Sequence, residues 1–257
     1  MRLAAYQFGV SGDVKKNTEI IKRAVSEAAG KKAELIIFPE CCISGYPPND
    51  LPGSKDFDTN EFPGILEELK ELSEKHNIGI LLGSIAFDEK FYNRAFLIRP
   101  GESLKWYDKR ALYGWDSDNF ETGNSEGVFE TGDLRIGVRI CFEARFPEYF
   151  RELYKAKTDL NLVIFYAVSN EDETGKYDVL KSHLISRAAE NVTPVFTVNA
   201  IKPYQSAPTC FINASGKIMA EAKRNSEEML IYDFEKKELD FGEIGRKRES
   251  DRLLGIR

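Results

Sequence analysis

Apolar positions along the chain alternate between strand-like runs and helical periodicities, and that succession sets out most of the elements. Residues 2–10 read as a strand. Asp13 is a fitting N-cap for a helix whose apolar positions Ile20, Ile21, Ala24, Val25 and Ala28 share one face, with Gly30 past its end. The short apolar run 33–38 is a buried strand by length and content, closing a β-α-β unit. Its right-handed crossover places Pro39 and Glu40 at the carboxyl edge of a central strand. Ile65, Leu66, Leu69 and Leu72 give a helix over about 63–76, followed by strands at 78–86, 91–99 and 103–107 joined by turn residues. These read as antiparallel hairpins, so the sheet is mixed.

The stretch 134–148 changes pattern midway. Its first half alternates as a strand, and Pro147 then opens a helix that carries Glu148 and Glu152 near its positive end. Cys141 falls at the turn between them. A side chain at the carboxyl end of a strand is aimed at a crevice, with the following backbone N–H beside it, which is where a nucleophile sits. The alternative is an inert core cysteine, because free cysteine is among the most buried residue types. Beyond the helix at 147–155 come a buried run at 160–167, a helix at 179–191, and strands at 194–198, 209–212, 217–221 and 229–234. The segment from 235 onward is charged and reads as a tail ending in apolar residues. Helices scattered among strands of both directions predict an α/β fold with two mixed sheets packed face to face. We expect one domain over 1–257, with 235–257 as a C-terminal tail at a subunit interface.

Composition narrows the chemistry. A hydrophobic share of 42 % and a charged share of 30 % are those of an ordinary globular chain. The formal charge of −6, with no basic block, argues against a nucleic-acid partner. No apolar run has the length of a spanning helix, and the amino terminus enters a strand without a signal-like segment, so the expectation is a cytoplasmic protein away from membranes. Cys41, Cys42, Cys141 and Cys210 fit neither a disulfide framework nor paired zinc knuckles, and no metal is expected. Only His76 and His183 are available as imidazoles, so whatever activates Cys141 is another kind of base.

Glu40 and Lys109 lie, like Cys141, where a strand gives way to its loop. Each alone reads as a solvated charge; together with the thiol they are chemically complete. A carboxylate held in a dry pocket can take the thiol proton, an ammonium lowers the thiol pKa and waits for a developing oxyanion, and the Phe142 N–H is a second donor to that oxyanion.

Phe38-Pro39-Glu40, Tyr107-Asp108-Lys109-Arg110 and the run from Gly137 through Cys141 to Glu148 resemble the three catalytic blocks of the nitrilase, or carbon-nitrogen hydrolase, superfamily. The resemblance extends to Arg187-Ala188-Ala189-Glu190-Asn191 and covers nearly the whole chain. It implies a four-layer α-β-β-α sandwich, a homodimer or higher homo-oligomer paired through outer helices, and no cofactor. It also implies roles: Glu40 as general base and then acid, Lys109 as oxyanion stabiliser, Cys141 as nucleophile attacking a small-molecule amide through a thioester. The short chain favours an amidase of aliphatic or ω-amides. Hydrolysis of N-carbamoyl compounds or nitriles, and a silent interaction protein or thiol sensor on the same scaffold, are the other readings. A second carboxylate, glutamate in many members, aligns with Asp116, with Asp118 as the other candidate. Glu143 and Arg145 either touch substrate or pair structurally near the turn. Tyr46 lies in a candidate pocket loop, and Tyr113 and Trp115 either wall the pocket or pack elsewhere.

Overall fold

The computed structural model of the chain describes residues 1–256. One six-stranded sheet runs in the order β14 (Glu228–Asp233), β1 (Arg2–Gln7), β2 (Leu35–Ile37), β3 (Gly79–Asp88), β4 (Lys90–Ile98), β5 (Lys105–Asp108). The other runs β13 (Ile218–Glu221), β12 (Cys210–Ile212), β10 (Val195–Asn199), β8 (Leu160–Phe165), β7 (Leu134–Ile140), β6 (Val128–Thr131). In each, a parallel centre is flanked by antiparallel edges: β1, β2 and β3 are parallel in the first, and β7, β8 and β10 in the second. A small ribbon pairs β9 (Val168–Ser169) with β11 (Tyr204–Gln205).

Three apolar layers hold the sandwich together. Helices α1 (Val14–Gly30) and α2 (Phe62–His76) cover the first sheet, with Ile21, Ala24, Val25 and Leu69 packed on Ala4, Ile36 and Ile80. The alternate residues Leu3, Ala5, Leu35, Ile37 and Leu81 face Ile136, Val138, Ile140, Leu162 and Val198 between the sheets. On the far side, α4 (Pro147–Lys155) and α5 (Thr174–Asn191) cover the second sheet through Phe150, Leu180, Leu184 and Ala188. Strands buried on both faces read as continuous apolar runs, which explains their legibility. The α-β-β-α sandwich is thus the observed fold.

Local signals act as expected at several ends. Asp13 accepts the Lys16 N–H at 3.0 Å and caps α1. Two differences are instructive. The polar stretch 109–127 contains a short helix, α3 (Trp115–Asn119), and the tail contains α6 (Phe241–Leu254), capped by Asp240. α6 lies against its own chain: Tyr154 donates to Asp251 Oδ1 at 2.6 Å and to the Lys247 carbonyl at 3.0 Å. Phe241, Ile244 and Leu253 on it are exposed. Arg257, the last residue of the tail segment, lies outside the described residues. No helix of the described residues is long and apolar enough to cross a membrane.

Candidate active site

The parallel centre of each sheet sends its carboxyl ends to one edge, and the chemistry collects there. β2 is followed by Phe38, Pro39 and Glu40, whose N–H reaches across to the Phe165 carbonyl at the end of β8, at 3.3 Å. Gly83 lets the strand behind come this close, because a Cβ there would stand 2.5 Å from the Cys41 nitrogen and 2.7 Å from Glu40 Cα. Lys109 follows β5 and is tied by its N–H to the Asn93 carbonyl of β4 at 2.8 Å. Cys141 follows β7 and opens a 3₁₀ turn, Cys141–Arg145, at φ 48°.

These segments converge. Lys109 Nζ lies 2.8 Å from Glu40 Oε1 and 2.7 Å from Asp116 Oδ2, and all three side chains are almost wholly buried. Asp116, on α3, also accepts the Tyr46 hydroxyl at 2.6 Å. Glu40 is held further by Asn93 Nδ2 at 2.7 Å and the Tyr166 N–H at 2.8 Å. Burial alone works against the charged form of Lys109, but the charges of Glu40 and Asp116 reverse that and hold the ammonium well above the usual lysine range. Cys141 behaves otherwise than expected. Burial, then the charge of Glu40, pushes its thiol well above the ordinary range, and Lys109 only partly offsets them. The ammonium is committed to two carboxylates, so at neutral pH the resting sulfur keeps its proton and needs a base.

Cys141 looks into a pocket of about 230 Å³ lined also by Phe142, Arg145, Tyr166, Lys176, Leu180 and Ser206. A larger cavity of about 740 Å³ lies under the tail, between residues 154–159 and 234–256, and contains none of these groups. The Phe142 N–H stands at the start of the 3₁₀ turn, where backbone donors lack partners within the helix.

The remaining residues divide clearly. Asp116 reaches Lys109, whereas Asp118 is exposed on the other side of α3. Glu143 is not a pocket residue: it is fully buried, and its oxygens accept the Tyr107 hydroxyl and the N–H groups of Arg110 and Ile140, each at 2.7 Å. It fastens the Cys141 turn to the lysine loop. Arg145 lines the pocket, its guanidinium 5.9 Å above the Phe142 ring. Tyr113 is exposed and stacks on Phe142, with ring centres 5.7 Å apart. Trp115 instead turns inward, edge-on to Phe120 at 5.5 Å and against the core under the first sheet, so it is no pocket wall. Tyr46 stacks on Tyr166 at 4.8 Å above the cluster.

Asn93 and Tyr166 were not singled out in the sequence. An asparagine in the interior of a strand, between aromatic and apolar residues on one side and Arg94 on the other, was the available signal for the first, since buried polar groups need a partner. Tyr166 offered only its place at the end of a central strand.

A thiol opening onto a pocket, backed by a sealed acid–amine–acid cluster at the joint edge of two sheets, is an arrangement suited to nucleophilic hydrolysis. The chain belongs to the carbon-nitrogen hydrolase family, whose model, described as Carbon-nitrogen hydrolase, matches residues 2–240. It is 28 % identical over 259 residues to the 2-oxoglutaramate amidase of Bacillus subtilis (strain 168), covering 96 % of this chain and 94 % of that one. It is also 28 % identical to the glutamine-dependent NAD(+) synthetase of Aquifex aeolicus (strain VF5), over 98 % of this chain but 44 % of the synthetase. The chain therefore spans less than half of that relative. An amidase from Nesterenkonia sp. shares the fold with a TM-score of 0.81 at 22 % identity, over 99 % of this chain and 96 % of that one.

Proposed function

We propose that the chain is a cysteine-dependent amidase that converts small primary amides to carboxylic acid and ammonia. The observation that carries this is the ion-paired cluster of Glu40, Lys109 and Asp116 sealed behind the Cys141 thiol. As Cys141 Sγ forms a bond to the amide carbon, its proton passes to Glu40 and the carbonyl electron pair moves to oxygen. Lys109 and the Phe142 N–H balance that oxyanion. When the intermediate collapses, the C–N bond breaks, Glu40 returns the proton to nitrogen, and ammonia leaves a thioester. Water then gives a proton to Glu40 as its oxygen attacks. The C–S bond breaks, the acid departs, and the sulfur is reprotonated.

The two charged side chains lining the pocket, Arg145 and Lys176, are both cationic. That supports a substrate with a carboxylate at its far end, namely the ω-monoamide of a dicarboxylic acid. The 2-oxoglutaramate amidase relative agrees with this preference. Assembly as a homodimer through the outer helices, with exposed Phe241 and Ile244 of α6 covered by the partner, belongs to the same reading and is checked by light scattering.

The test is release of ammonia from a panel containing butyramide, succinamate and glutaramate. We expect succinamate or glutaramate to be turned over with the higher kcat/KM, and Arg145→Ala to erase that margin by raising KM for the charged amides alone. A folded wild-type protein that releases ammonia from no primary amide overturns the proposal.

A further inference from the structure

A carboxylate offers about four lone-pair positions to donors. At Glu40, three of them are filled among the described residues. Oε1 takes both Asn93 Nδ2 at 2.7 Å and Lys109 Nζ at 2.8 Å, whereas Oε2 takes only the Tyr166 N–H at 2.8 Å. The fourth position is therefore on Oε2.

Asn93 is itself firmly placed. It lies in β4, 1 % exposed, and its backbone carbonyl accepts the Lys109 N–H at 2.8 Å. Its side-chain oxygen faces Cys41 Sγ at 3.8 Å, which leaves the amide NH₂ turned toward Glu40. One residue thus holds the base by its side chain and the lysine by its backbone.

We propose that Asn93 is a positioning residue that selects the proton-accepting atom of the base: by occupying Oε1 together with Lys109, it leaves Oε2 as the place to which the Cys141 proton goes. This rests on Glu40 being the base. The S–H bond breaks as the Oε2–H bond forms, and the same proton later passes from Oε2 to the departing nitrogen. Without the asparagine donor, the carboxylate can turn about its last bond and both oxygens compete for Lys109, so a fraction of molecules presents an engaged oxygen to the sulfur.

Titratable groups surround Glu40 from each neighbouring element: Lys109 after β5, Asp116 on α3, Cys141 in the 3₁₀ turn, Cys41 beside it and Tyr46 in its loop. Asn93 does not titrate. Its removal withdraws one hydrogen bond from the carboxylate and adds no charge.

The experiment compares Asn93→Ala with Asn93→Asp, which keeps the volume but sets a like charge against Glu40. kcat and KM are measured across pH, with active sites counted by alkylation of Cys141. We expect kcat per active site to fall about 10-fold in the alanine variant and roughly 100-fold in the aspartate variant, with KM nearly unchanged. Wild-type kcat per active site overturns the proposal, as does a loss confined to the number of active sites or to KM. If Glu40→Gln is inactive while the Asn93 variants behave as wild type, Asn93 alone loses its role; if Glu40→Gln is fully active, the base assignment itself fails. Should both Asn93 variants fail to fold, Asn93→Ser is measured in their place: a lowered kcat per active site with unchanged KM supports the role, and wild-type kcat overturns it.

Discussion

Two cysteines end central strands of the two sheets with the same backbone twist. Cys41 follows β2 and Glu40 at φ 49°, and Cys141 follows β7 at φ 48°. A residue other than glycine held there costs on the order of 1–3 kcal/mol and persists only where its surroundings fix it. Each turn is fixed differently. Cys41 is wedged against the backbone of Gly83, whereas the Cys141 turn is fastened by the Glu143 carboxylate on the Ile140 N–H. Burial, followed by the charge of Glu40, lifts both thiols well above the ordinary range. Twist and electrostatics therefore fail to distinguish the two. Access does: Cys41 is completely buried, and Cys141 lines the pocket. At this edge the two thiols differ in what the sulfur faces, not in the direction in which their surroundings push them.

The sharpest way to break the contrast is Cys141→Ala, which should remove amide hydrolysis by about 10⁴-fold or more, while Cys41→Ala keeps it. Ammonia release from purified, folded variants checks both. Glu40→Gln should lower kcat roughly 10²- to 10⁴-fold, the usual range for a lost general base. The sign for sulfur is opposite. Glu40 raises the Cys141 thiol, so its neutralisation moves the alkylation profile with iodoacetamide toward lower pH even as catalysis falls. A profile that moves upward would contradict the charge coupling. Glu143→Gln turns an amide NH₂ against one of the N–H groups it now accepts, which should cost about 1–3 kcal/mol of stability by thermal or urea unfolding, together with part of kcat. The smallest effect belongs to Cys41→Ala, about 0.5–3 kcal/mol in unfolding with kcat within a few-fold.

Legibility in the sequence followed burial. Strands such as 33–38 and 160–167 lie apolar on both faces, and their patterns identify them within two residues of the observed ends. Glu40 follows such a run, whereas Lys109 and Cys141 follow strands that carry charged residues, so they could be picked out only by falling at strand ends and by their joint chemistry. Helix α6 escaped because charged residues surround it and its apolar residues Phe241, Ile244 and Leu253 remain exposed, leaving no stripe to find. The start of α5 at Thr174, five residues before the expected one, was hidden by a polar first turn. Glu143 and Trp115 were ambiguous for a different reason. Whether such a side chain turns toward the pocket or the interior depends on what it meets in the folded chain, here the distant Tyr107 for Glu143 and the core under the first sheet for Trp115. Asn93 shows the same limit, since its importance comes from the carboxylate of residue 40 meeting it across a strand boundary.

The fixed charges deep in the cleft are two carboxylates and one ammonium, which leaves an excess of one negative charge there. The pocket lining outside that cluster carries the cations Arg145 and Lys176 instead. The sign of the charge therefore reverses along the cleft, so a molecule with one anionic and one neutral end would be oriented with its neutral end toward the sulfur.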